Sequence, residues 1–195
     1  YKTQKYFSFN SLFENDLKNL LATITIMSIY KKIHKLDKNI FYDHKVTNGR
    51  GDITKVKLFK KNFYLVDESY NSNPLSLKSA LKNFDIIKTH NSKKHLVLGD
   101  MLELGKYSRK LHTEIGKTIN KTSLKNVNVI GNHVKWTFNS INKYKRGIII
   151  KKKSQIIDLI KNILNNNDYL MIKGSNSTGL NSLTNQIKIG KINAL

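Results

Sequence analysis

At 195 residues the chain can bury a full core with a further segment to spare, and 39% hydrophobic with 25% charged residues fits a globular protein. It has no cysteine, which excludes disulfides and thiolate metal sites and fits a reducing compartment. The formal charge of +22 invites a nucleic-acid reading, but Arg50, Arg109 and Arg146 are the only arginines among 35 basic residues, and the lysines are spread along the chain. Nucleic-acid binding is therefore set aside as the main function.

The chain opens on Tyr1 rather than an initiator methionine and is expected to be a portion of a longer or processed protein. Residues 2–13, with Tyr6, Phe7 and Phe9, are expected to form a strand. Asn15 or Asp16 can cap a helix running to about Ile33, with Leu17, Leu20, Leu21, Ile24 and Met27 on its buried side. Its uncharged stretch, Leu20 to Ile29, is too short to span a bilayer, and acids precede it where a signal peptide needs bases. It reads as a buried helix of a protein without membrane association. Residues 34–48 read as a connection, with a domain boundary near residue 40 separating 1–40 from 41–195.

From Asn48 the pattern becomes regular. Lys55–Phe59 and Phe63–Val66, joined by Lys60, Lys61 and Asn62, suit an antiparallel hairpin. Pro74 is the only proline and sits where a first helical residue would, with Asn73 as N-cap. Leu77, Ala80, Leu81 and Phe84 then mark one helical face. Strands at 96–98, 127–130, 148–150 and 169–172 alternate with helices at about 108–119, around Trp136, through Ile156, Leu159, Ile160 and Ile163, and through Leu180, Leu183 and Ile187. This alternation predicts an α/β fold: a Rossmann-like, mostly parallel sheet with helices on both faces and an antiparallel hairpin at its start.

Three predicted strands end in polar clusters: Asp67-Glu68-Ser69-Tyr70-Asn71-Ser72-Asn73, Gly99-Asp100-Met101-Leu102-Glu103-Leu104-Gly105, and Lys173-Gly174-Ser175-Asn176-Ser177. In a parallel sheet all three lie at one edge, where ligands bind. Gly49-Arg50-Gly51 sets a guanidinium on a permissive backbone, suited to phosphate or carboxylate. His112, on a helix near Glu114, reads as a partly exposed structural histidine rather than a base. The six histidines lack metal-ligand spacing, and there is no GxxxxGK[ST] loop to cradle a triphosphate.

Asp67 to Pro74, followed by Leu75-Ser76-Leu77, resembles the DxSYNANPxSM signature of the Mur ligase family, in the branch that adds D-alanyl-D-alanine. Leu98 to Gly105 resembles its LGDMLELG run, Ser108, His112 and Gly116 fit its next helix, and Lys173-Gly174-Ser175-Asn176 is similar to its KGSN strand end. Gly49-Arg50-Gly51 matches the GRG that opens its C-terminal domain. Upstream, Asn19 matches a helix start in the family's central ATPase domain, whereas Asn15 and Asp16 depart from its histidine and asparagine. Gly179 stands where the family usually has arginine.

The resemblance implies a three-domain cytoplasmic enzyme of peptidoglycan synthesis, of which this chain holds the end of the central domain and the whole C-terminal domain. ATP, with Mg2+, would phosphorylate the carboxylate of UDP-N-acetylmuramoyl-tripeptide, and the amine of D-alanyl-D-alanine would attack the acyl phosphate. By the same resemblance Asn19 would meet adenine, Arg50 the nucleotide phosphate, and Asp67 the ribose or a nearby cation. Tyr70, Asn71, Asn73, Asp100, Lys173 and Ser175 would shape the dipeptide pocket, with Lys173 partnering its carboxylate. No catalytic residue or metal ligand is assigned within the chain. ATP and Mg2+ would be held mainly by the absent central domain, so the chain alone is expected to be inactive. The competing expectation is a non-catalytic basic Rossmann-like module binding nucleic acid or a partner protein, recognisable by strongly salt-dependent binding.

Overall fold

The computed structural model describes residues 4–9, 14–43, 47–89 and 91–190. The chain divides into two compact units, Tyr1–Val46 and Thr47–Leu195.

In the first unit, helix α1 spans Glu14–Tyr30, so Asn15 and Asp16 lie inside its first turn rather than capping it. A single 3-10 turn follows at Ile33–Lys35. The predicted buried side is corrected. Leu20 is buried, Ile24 and Met27 are half-buried, and Leu17, Leu21, Ile26, Ile29 and Tyr30 are exposed. Helical periodicity marks an apolar face, but burial needs a second layer, and the described residues of this unit supply none. Residues 4–9 form no strand, and residues 2–3 and 10–13 of that predicted strand lie outside the described ones. What holds 4–9 is the Ser8 N–H donating to Lys38 O at 2.7 Å and the edge-to-face contact of Phe7 with Phe41.

The second unit is built on a six-stranded sheet: β1 Asp52–Leu58, β2 Lys61–Glu68, β3 Lys94–Gly99, β4 Val127–Ile130, β5 Arg146–Ile150 and β6 Tyr169–Lys173. The spatial order is β1-β2-β6-β3-β4-β5, antiparallel between β1 and β2 and parallel elsewhere. The hairpin turns on Phe59 and Lys60, not on Lys60 to Asn62. Both residues have positive φ (51° and 59°), the handedness that matches the twist of paired strands. Lys61 and Asn62 are thereby released into β2, opposite Leu58 and Lys57.

Five helices cover the sheet: α2 Pro74–Ile86, α3 Ser108–Asn120, α4 Val134–Ser140, α5 Ser154–Asn162 and α6 Leu180–Lys188. On one face α2, α3 and α4 bury Leu77, Leu81, Phe84, Ile115 and Phe138 against Val66, Leu96, Leu98, Val129 and Met171. On the other, α5 and α6 bury Ile156, Ile160, Leu183 and Ile187 against Phe63, Leu65, Val97, Leu170 and Ile172. Each fully buried large side chain contributes roughly 1.5–3 kcal/mol. The predicted α/β architecture, with helices on both faces and an antiparallel start, is the one observed.

Candidate functional site

Because β2, β6 and β3 are neighbours, their carboxyl ends open side by side. Glu68 and Leu98 lie level with Lys173 in the two parallel registers. The three polar clusters are therefore contiguous, as a parallel sheet requires.

Ser175 joins them. Its hydroxyl accepts from Leu102 N–H at 2.9 Å and donates to Ser72 O at 3.2 Å, while its own N–H donates to Asp100 O at 2.9 Å. One buried serine thus ties the loop after β6 to the loops after β2 and β3.

Lys173 is also buried, and its contacts are internal. Its ammonium donates to Glu68 Oε2 at 3.1 Å and Asn71 O at 3.0 Å, with Glu68 O at 3.4 Å. Burial raises the pKa of Glu68 above the usual carboxylate value, against the downward pull of Lys173.

Asp67 is fully buried. Its Oδ1 accepts from both the N–H and the hydroxyl of Ser69, at 3.0 and 2.6 Å, and its Oδ2 lies 2.5 Å from Lys188 Nζ. The same ammonium lies 2.6 Å from Asp52 Oδ2, and Asp52 Oδ1 accepts from Gly49 N–H at 2.8 Å. Burial alone would lower the Lys188 pKa, but its bonds to Asp52 and Asp67 carry it upward. The cation beside Asp67 in this unit is the Lys188 ammonium, and the carboxylate is buried.

These bonds fix the 49–51 loop against the end of β2. Gly51 N–H donates to Asp67 O at 2.7 Å, and Tyr70 N–H to Gly49 O at 3.1 Å. Gly49 and Gly51 both have left-handed φ (79° and 99°), and a Cβ at Gly49 would lie 2.9 Å from Tyr70 N and Cβ, so glycine alone fits there. Between them Arg50 is exposed, and its guanidinium stacks over the Tyr70 ring at 4.6 Å from the centroid. Tyr70, Asn71 and Asn73 are exposed too. Asn71 Oδ1 accepts from Ser72 N–H at 2.8 Å. Asn73 caps α2 in a reciprocal box with Ser76, as its position before Pro74 predicts.

Asp100 is buried and turned toward α4. Its two oxygens accept from Asn132 N–H at 3.0 Å and Val134 N–H at 2.7 Å. Gly131 leaves room for this: a Cβ there would come within 2.5 Å of the Asp100 carboxylate. His112 is buried rather than partly exposed. Its Nε2 accepts from Met101 N–H at 3.1 Å and its Nδ1–H donates to Ser108 O at 2.9 Å, so it holds the loop after β3. Asn19 belongs to the first unit, exposed on α1.

The sequence-predicted residues of the second unit thus divide into an exposed lip (Arg50, Tyr70, Asn71, Asn73) and a buried support (Asp67, Asp100, Lys173, Ser175). Sequence reasoning missed Lys188 and Asp52 as members of the support and carried Glu68 only as part of the first polar cluster. Asp52 adjoins the quoted Gly49-Arg50-Gly51, which was a signal. Lys188, at the end of the last helix, carries none. The lip suits a phosphate or carboxylate at Arg50. Among the described residues no group of three or more His, Asp or Glu could hold a metal, and the Lys188 ammonium already lies between Asp52 and Asp67, so the described residues do not fit Mg2+.

Residues 53–176 match the glutamate ligase domain of the Mur ligases. The chain is similar to three curated UDP-N-acetylmuramoyl-tripeptide--D-alanyl-D-alanine ligases. It is 26% identical to that of Rickettsia prowazekii over 85% of this chain and 35% of the relative. The Buchnera aphidicola protein is 30% identical over 67% and 28%, and the Haemophilus influenzae protein 32% identical over 61% and 25%. The chain thus spans about a third or less of these relatives' length. Among solved structures it is similar to the MurF ligase of Thermotoga maritima in complex with ADP (TM-score 0.75, 20% identity, 91% of this chain and 39% of that one). MurF of Acinetobacter baumannii gives 0.75 at 18% identity, over 94% and 39%.

Proposed function

The chain belongs to the Mur ligase family, and from that membership we propose that it is the acceptor-binding C-terminal portion of a ligase that adds D-alanyl-D-alanine to UDP-N-acetylmuramoyl-tripeptide in peptidoglycan synthesis. The observation that carries the reading is the convergence of residues 67–73, 99–105 and 173–177 at three adjacent strand ends, cross-linked through Ser175.

In this reading the exposed guanidinium of Arg50 meets a nucleotide phosphate, held in place by Tyr70 and by the 49–51 loop's bonds to β2. The relative in complex with ADP supports a nucleotide at this family's site. The exposed Tyr70, Asn71 and Asn73 face the dipeptide. Lys173, Asp100, Asp67 and Ser175 act as positioning residues that hold this lip, rather than as direct ligands. Lys173 does so by gripping Asn71 O and Glu68. ATP and Mg2+ supply carboxylate activation; the described residues offer no metal set, which supports a metal held mainly by the part of the central domain that lies outside this chain. Asn19, in the end of the central domain that this chain carries, meets the adenine. The exposed apolar residues of α1 support the presence of such a domain in the working enzyme. The domain division at residues 1–40 and 41–195 is part of this proposal, as is a cytoplasmic location. Among the described residues no helix is long and apolar enough to cross a membrane.

The test replaces the corresponding segment of the Buchnera aphidicola relative with this chain and follows ATP-dependent phosphate release and amide formation. Activity that requires both UDP-N-acetylmuramoyl-tripeptide and D-alanyl-D-alanine is expected. A folded chimera that binds ATP yet forms no amide would overturn the reading.

A further inference from the structure

An acceptor carboxylate needs a cation, and the lysine that the sequence offers for it, Lys173, is buried with its ammonium engaged by Glu68 and Asn71 O. Lys188 is likewise held, between Asp52 and Asp67. A third lysine reaches this edge of the sheet from the far side. Lys153 follows β5, immediately before α5, and whereas its neighbours Lys151 and Lys152 are exposed, Lys153 is half-buried. Its ammonium lies over Gly179, where a Cβ would overlap it. Gly179 has a left-handed φ of 68°, and its N–H donates to Asn176 O at 3.0 Å in the turn that starts at Ser175.

Two residues further on, Asn181 Nδ2 donates to Ser69 Oγ at 3.4 Å, and a Cβ at Gly49 would lie 3.1 Å from the same amide. The start of α6 therefore joins Gly179 to the loop that carries Arg50 and Tyr70. The rim has two cations, Arg50 beside Gly49 and Lys153 over Gly179. Lys153 has no carboxylate of its own: no acidic residue lies between Glu114 and Asp158, and among the described residues it forms no ion pair. An ammonium drawn partly out of water onto a glycine, with no anion beside it, is built to receive one.

We propose, on the ligase reading above, that Lys153 binds the C-terminal carboxylate of the D-alanyl-D-alanine acceptor. The planar fork of Arg50 suits the nucleotide phosphate, and the compact charge of Lys153 suits the single anionic group of the dipeptide. A carboxylate held there leaves the amine at the other end of the dipeptide free to attack the acyl phosphate. Gly179 has a role in the same contact, because any side chain at that position would displace the ammonium.

The chimeric ligase tests this with two acceptors, D-alanyl-D-alanine and its uncharged C-terminal amide. The unsubstituted chimera should favour the acid by about tenfold or more in kcat/KM. Lys153→Met and Lys153→Gln should raise the KM for D-alanyl-D-alanine by a similar factor, use acid and amide alike, and keep the KM for ATP. Lys153→Arg should restore the preference. A lysine that only packed on Gly179 would leave the acid-to-amide ratio untouched. Without an ion-pair partner to strand, each variant should melt at the midpoint of the unsubstituted chimera. An unsubstituted chimera indifferent to the acceptor's charge, neutral variants that keep the preference, or a loss confined to ATP would overturn the assignment while leaving the ligase reading in place. A folded chimera that forms no amide with either acceptor would overturn both.

Discussion

Lys173 Nζ lies 3.1 Å from Glu68 Oε2, joining two strand ends whose residues are 105 positions apart. The pair is largely buried, with side-chain exposures of 2% and 16%, and the same ammonium holds Asn71 O. Removing one member of such a pair leaves the other charge without its partner, so Lys173→Met should cost roughly 3–5 kcal/mol. Urea unfolding at neutral pH measures it, and a loss under about 1 kcal/mol would show that the pair does not hold the loop.

Glu68→Gln should behave differently. Burial raises the Glu68 pKa above 4.5, so the folded state holds this proton more tightly than the unfolded chain. That contribution is fully present below the unfolded value and is lost as pH rises through the folded one. The stability of the native protein relative to Glu68→Gln should therefore decline from pH 4.5 upward. Paired urea melts across that range check the slope, and a rising difference would contradict it.

His95 and His112 carry the opposite sign. Both are buried, and burial lowers both pKa values, against Asp168 in the first case and the Ser108 carbonyl in the second. The unfolded chain, with histidine near 6.5, then binds protons that the folded state refuses. Stability should fall as pH drops below about 6.5 and level off below the folded values. His112→Gln, which keeps an acceptor near Met101 N–H, should flatten part of that slope. A pH profile identical to the native one would remove His112 from the account.

The Asp100 carboxylate spans Asn132 and Val134 with separate oxygens. Asp100→Asn leaves one N–H facing an amide NH2, a loss of about 1–3 kcal/mol, and Gly131→Ala drives a methyl into the carboxylate. Both should lower the thermal midpoint and speed amide exchange at the start of α4. Unchanged exchange there would mean that the bracket is dispensable.

What was legible before the structure follows from local rules. The capping box at Asn73, the face formed by Leu77, Ala80, Leu81 and Phe84, and the shared edge of the polar clusters depend on short spacings and on parallel topology. What was not legible depends on distant partners or on a layer outside the pattern. Lys188 reaches Asp52 across 136 residues with no intervening signal. The α1 periodicity marks an apolar face without saying what covers it. Phe59 and Lys60 are poor turn residues by chemistry, and strand register forces them into left-handed backbone although Asn62 is the better turn former by residue type.

The exposed lip and the buried support should separate experimentally at Arg50 and Asp67. Arg50 is exposed, and among the described residues its guanidinium meets the Tyr70 ring, so Arg50→Ala, which keeps the backbone bond to Thr47 O, should change stability by less than about 0.5 kcal/mol. In the chimeric ligase it should weaken ATP use by about tenfold or more, the effect of losing a charge-assisted phosphate contact. Asp67→Asn removes one charge from a fully buried carboxylate held by Ser69 and Lys188, and should lower stability by roughly 3 kcal/mol or more. Its effect on nucleotide affinity should be small wherever the chimera remains folded, because Asp67 acts through the loop and not on the ligand. Thermal melts of both variants beside ATP titrations decide the matter. A stable Asp67→Asn chimera that loses ATP affinity would make Asp67 a direct ligand. An Arg50→Ala chimera with unchanged ATP use would take the nucleotide away from the 49–51 loop.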